Sequence, residues 1–158
     1  MSINTTRILR VLDSLYLLLL GVSVGAIIAC IFSAPIIFKA GVILDMSITQ
    51  AQSGVLMGRI FENLNVVLFI AAVGIIIFEF ILAKIFRTSN VIIVLSAGIS
   101  LIMIFLFALY YTPYILSAPD TQSSEFKSMH AQSVIVFDIL LLSLCVLFVS
   151  KILKLTRH

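Results

Sequence analysis

Charge is scarce in this chain. Lys, Arg, Asp and Glu make up 11% of its 158 residues, against about 25% in a soluble globular domain. That is too little to solvate a folded surface, so a water-soluble globule is excluded. Tryptophan is missing altogether, and there are only two cysteines and two histidines. Cys30 and Cys145 make no CxxC pair and no zinc-ligand spacing. No phosphate-binding glycine loop and no HExxH occurs. Ser133 stands near His130 but lacks a third orienting group, so no activated nucleophile is built from them. Lipidation motifs and low-complexity segments are also missing. The net charge is +3, yet the basic residues flank apolar runs instead of clustering, which argues for membrane topology over nucleic-acid binding.

What the chain does have is hydrophobicity. Apolar residues make up 62% and the mean hydropathy is +1.27. Runs of ~18 or more apolar residues read as membrane spans, and four are present, over about residues 12–38, 49–86, 91–116 and 128–149. They use nearly the whole chain, which predicts an all-α, polytopic four-helix membrane bundle forming a single domain over residues 1–158. The first run exceeds the ~7–15 apolar residues of a signal peptide and is expected to be retained. Pro35 removes a backbone donor near its outer end, where a kink is expected. Thr49-Gln50-Ala51-Gln52 has capping-box spacing for the start of the second helix. That helix would be about 55 Å long, beyond the ~30 Å hydrocarbon core. Its first part, through Arg59, Glu62, Asn63 and Asn65, should therefore lie at the interface or inside the bundle, with Gly54 and Gly58 allowing a bend.

Seven of the ten Lys and Arg residues (Arg7, Arg10, Lys84, Arg87, Lys151, Lys154 and Arg157) fall on the side of the termini, against Lys39, Arg59 and Lys127 on the other. This asymmetry predicts both termini in the cytoplasm and the spans in the inner (plasma) membrane. Tyr110, Tyr111 and Tyr114 then form an interfacial aromatic belt at the outer end of the third helix. Cys30 and Cys145 fall at different depths, too far apart for a disulfide, whose Cα atoms lie within about 7 Å.

Lipid-embedded helices associate through close packing and polar contacts. Gly21, Gly25 and Ala29 recur every four residues in the first helix, and Ala71, Ala72 and Gly74 mark the second. Four helices packing on one another already need such faces, which favours contacts within the chain. A second copy or another membrane partner on Gly21, Gly25 and Ala29 fits the same spacing.

Ionisable residues inside spans are costly and carry information. Glu79 is expected to pair with Lys84 and Arg87, and Asp13 with Arg10, at the interface. Asp138 lies deep in the fourth helix with no charged neighbour along that helix; structural hydrogen bonding and a functional role are equally open for it. Arg59, Glu62, Asn63 and Asn65 occupy adjacent turns of the second helix, and His130 and Ser133 open the fourth. If those helices touch, the group becomes either a hydrogen-bonded plug or an outer-side site for a small ion or polar solute. His130, Met57 and Met129 are the weak candidates for a soft metal, but methionine commonly fills gaps. The two histidines lie on opposite sides, so one chain cannot supply both axial ligands of a haem, and no cofactor is expected.

Three segments carry a resemblance. The stretch Gly21-Val-Ser-Val-Gly25-Ala through Ser33-Ala34-Pro35-Ile-Ile-Phe38 resembles the first helix of the transmembrane-protein-205-like family. Gln52-Ser-Gly54-Val-Leu-Met-Gly58-Arg59-Ile-Phe61 through Asn65 is similar to the start of its second helix. Phe126-Lys-Ser-Met-His130-Ala-Gln-Ser133 is similar to the start of its last. The resemblance implies a four-helix membrane fold without an assigned reaction, and points to Arg59, Asn65, His130 and Ser133. The family's Asn beyond the His and Ser is replaced here by Phe137 and Asp138. Distant architectural likeness to copper-resistance membrane proteins and to bacterial protoporphyrinogen oxidases fixes no function.

Together these readings predict a non-enzymatic membrane protein that binds a small ion or solute in an outer polar pocket, in transport or metal handling. The alternative is a structural or assembly subunit of a membrane complex, and a haem-dependent redox protein stands third.

Overall fold

The computed structural model describes residues 3–85, 90–118 and 121–156. Four helices are long and apolar enough to cross a membrane: Arg10–Phe38, Gln50–Leu82, Val91–Ser117 and Ser124–Leu155. They are called here the first to fourth spans. The first belongs to α1 (Ile3–Phe38), which runs three residues past Pro35 before it ends. A short α2 (Ala40–Ile43) and a turn with Asp45 at φ 50° lead to the second span. An aspartate tolerates that left-handed conformation better than most residues do.

Local chemistry sets the helix starts. The expected capping box at Thr49 is present. The Gln52 N–H donates to Thr49 Oγ1 at 3.2 Å, and the Thr49 N–H donates to Gln52 Oε1 at 2.8 Å. Asn90 Oδ1 accepts from the Ile92 N–H at 2.9 Å to open α5 (Val91–Phe105), and Ser123 Oγ accepts from the Phe126 N–H at 3.1 Å to open α7 (Ser124–Leu155). Each side-chain acceptor satisfies a donor that has no partner within the helix.

The second and third spans both loosen into π-helix. After α3 (Gln50–Ile75), residues Ile76–Leu82 are π-helical, with the Ala83 N–H donating to the Phe78 carbonyl five residues back. After α5, Leu106–Tyr111 does the same, and the Thr112 N–H donates to the Phe107 carbonyl. Such stretches are rare and concentrate where a side chain must be re-aimed.

The spans pack as a ring: first on second, second on third, third on fourth, and fourth back on first. The second and fourth therefore face each other across a diagonal. Tyr16, Leu20, Ile27, Leu68, Ile75, Ile104, Leu140, Leu144 and Leu147 fill the centre. Polar contacts fix the register. Ser100 Oγ donates to Ser143 Oγ at 2.9 Å in the middle of the bundle, and Ser53 Oγ donates to the Ile37 carbonyl at 3.1 Å near the end away from the termini. Gly74 lets the second span approach the first: a Cβ there would stand 2.7 Å from Leu19 Cδ2. The small-residue stripe of the first span is used differently from the packing expectation. Gly21 is half-buried against the Phe148 ring, whereas Gly25 and Ala29 face outward, and a Cβ on Gly25 would meet nothing within 4 Å.

Candidate functional site

The residues of the outer cluster divide between the outside and the inside of the bundle. Arg59 Nη1 and Glu62 Oε2 pair at 2.7 Å on the exposed side of the second span, with side chains 75% and 47% accessible. Asn63 is exposed beside them. His130 is exposed on the fourth span, its ring parallel to Phe126 with centroids 6.0 Å apart. Asn65 and Ser133 turn inward and are buried. Ser133 Oγ donates to the His130 carbonyl at 2.7 Å, while Asn65 Oδ1 has no hydrogen-bond partner among the described residues. Met57 is buried and Met129 half-buried.

The ring order explains this division. The second and fourth spans meet across the diagonal mainly through phenylalanine. Phe137 lies 4.8 Å from Phe107 and 6.2 Å from Phe61, and Phe61 and Phe107 are 5.6 Å apart, centroid to centroid. An aromatic wall therefore occupies the place where a shared polar pocket was expected. The tyrosine belt is modified in the same region: Tyr110 is exposed, but Tyr111 is buried and its hydroxyl donates to Gln132 Oε1 at 3.1 Å.

Asp138 points away from the core. It lies on the outward stripe of the fourth span between Ile135 and Leu142, which are 58% and 66% accessible. The neighbouring core position, Phe137, takes the inward place.

The more closed polar group lies at the opposite end, with the termini. Glu79 Oε1 and Lys151 Nζ are 3.1 Å apart, with side chains only 2% and 8% accessible. The Lys151 ammonium stands 5.3 Å from the centroid of the Tyr16 ring, and Tyr16 stacks on Phe78 at 4.4 Å. The Tyr16 hydroxyl, also buried, interacts with the same carboxylate. Neither it nor Glu79 Oε1 completes a well-aligned hydrogen bond. Lys154 and Asp13 continue the charged group toward the end of the bundle.

Glu79, on the π-helical segment, pairs with Lys151 of another span; its expected partners, the Lys84 side chain and Arg87, lie outside the described residues. Asp13 and Arg10, expected to pair, form no ion pair among the described residues. The available signal was two opposite charges, Glu79 inside the second apolar run and Lys151 just past the fourth, each near the terminal end of its span.

An apolar groove of about 380 Å³ opens between the first and fourth spans, lined by Leu17, Leu18, Gly21, Val22, Phe148 and Ile152. Among the described residues, no three His, Cys, Asp or Glu side chains converge.

Four apolar spans in one closed ring, with ion pairs both inside and outside it, define a multi-pass integral membrane protein. Residues 18–124 match the profile of the domain of unknown function DUF4149, and the chain belongs to that family. The match begins within the first span, covers the second and third, and reaches the first residue of the fourth. No curated protein and no solved structure matches the chain.

Proposed function

We propose that this protein is an assembly subunit of a plasma-membrane complex, joined to a neighbouring transmembrane helix through the outward face of its fourth span. One observation carries the reading: Asp138 is exposed on that face inside the apolar run of residues 134–149. Lipid tails offer a carboxyl no hydrogen-bond partner, and an acid at such a depth normally faces protein or water. The Lys and Arg asymmetry supports the orientation with both termini cytoplasmic. The resemblance to the transmembrane-protein-205-like family is carried by the segments from Gly21, from Gln52 and from Phe126, the last of which lies beyond the family match.

A photoreactive residue placed at Ile135 tests this in intact membranes. A discrete protein adduct that Asp138→Leu abolishes is the expected result. Adducts to lipid alone would sink the proposal.

A second reading keeps the outer half as a binding place for a small ion or polar solute, in transport or metal handling. Its support is that Asn65 Oδ1 and Thr112 Oγ1 are buried without partners. A single four-helix chain without inverted repeats is small for a secondary transporter, so binding is the narrower version. Sodium, potassium, copper(I) and zinc, each added to purified protein, would identify such an ion by a rise in thermal midpoint that Asn65→Leu removes. An unchanged midpoint with all four would remove the ion reading.

A further inference from the structure

Resting on the assembly reading above, we propose that the occupant of the fourth span's outward face is a second copy of this chain, with the two Asp138 carboxyls meeting across a parallel pair of fourth spans. Along α7, Ala131, Ile135, Asp138, Leu142, Cys145, Val149 and Ile152 follow one another in steps of four and three. All seven are exposed or half-buried in the single chain. That spacing is the seam of a left-handed helix pair. Outward faces of other bundle helices share the rhythm, as Val11, Leu15, Leu18 and Val22 do on the first span. The acid is what singles out the fourth.

Depth decides the partner. Asp138 is five residues from Ser143, which meets Ser100 in the middle of the bundle; at 1.5 Å per residue that places it about 8 Å from the centre. A satisfying group must arrive at that same depth. Two copies inserted in the same orientation, related by an axis along the membrane normal, bring each residue of one face to the depth of its equivalent. Asp138 therefore meets Asp138. One proton held between two carboxyls gives an O–H donor to one and an acceptor to the other, the arrangement adopted by close carboxyl pairs. The alternative on this chain is Arg59, but it is already held by Glu62 and projects from the diagonally opposite span, so its use would build open chains or rings instead of a closed pair. Interhelical polar contacts of this kind strengthen association in lipid.

Cysteine cross-linking in native membranes tests the pair. With Cys30 and Cys145 replaced by serine, Leu142→Cys should give a disulfide-linked dimer on mild oxidation, and Val66→Cys, on the exposed face of the second span, should not. Adding Asp138→Leu should lower the Leu142→Cys dimer yield by about tenfold, whereas Asp138→Asn, which still donates and accepts, should keep most of it. Dimer yield no higher than the Val66→Cys control, or yield unaffected by Asp138→Leu, overturns the inference. So does a mixed dimer between co-expressed Val66→Cys and Leu142→Cys chains, which would mean the head-to-tail contact. The photoreactive probe at Ile135 separates the two levels. An Asp138-dependent adduct to a different protein overturns the second copy and leaves assembly standing, and lipid adducts alone overturn both.

Discussion

Replacing Lys151 with methionine should lower the unfolding free energy in detergent by about 3–5 kcal/mol, the usual cost of removing one partner from a buried ion pair. The loss follows from what remains. Glu79 stays 2% accessible, and its carboxyl is left buried without the cation that compensates it. Glu79→Leu should cost less, because Lys151 lies one turn from the end of α7 and its flexible stem can carry the ammonium toward the interface. The double variant Glu79→Leu/Lys151→Met should recover most of the loss, since an apolar pair of similar volume often replaces a buried ion pair without penalty. A thermal midpoint series in one detergent measures all three. A double variant that loses the sum of the singles would show that the pair is uncoupled, and equal losses from the two singles would show that Lys151 gains nothing from its place near the helix end.

Phe137→Ala is the second large change expected, at about 3–5 kcal/mol. Phe137 is buried and touches two other rings from two other spans. Its removal leaves a hole that neither Phe61 nor Phe107 can fill without leaving its own helix face. Phe137→Leu should cost less than half as much, because it returns most of the volume. Phe126→Ala is the useful contrast: that ring stacks on an exposed His130 and its loss should be small. A Phe137→Ala midpoint no lower than that of Phe126→Ala would mean the wall does not hold the outer half together.

Helix positions were legible in the sequence because hydropathy and capping act locally. Runs of apolar residues longer than a bilayer is thick leave few alternatives, and the Thr49 capping box depends on four consecutive residues. The direction in which side chains face was much less legible. Arg59 and Asn65 are six residues apart on one helix, yet one is exposed and the other buried, and only the position of the neighbouring spans decides that. The same holds for Glu79. Along the sequence its nearest cations are Lys84 and Arg87, while Lys151 reaches it from the last span. A small-residue stripe such as Gly21, Gly25 and Ala29 states that a close approach is possible, but its Gly25 and Ala29 steps turn out to face away from the bundle.

The two π-helical stretches give the middle spans an unusual tolerance. A π turn accommodates one residue more than the α-helix around it needs, so each of these spans carries a surplus residue. Losing a residue from 76–82 would let that span close into continuous α-helix and still cross the bilayer. The π turn already absorbs that surplus, so residues beyond the deletion would keep the faces they present now. One-residue changes of length can therefore be buffered inside these turns, leaving the packing on either side and the number of crossings unchanged.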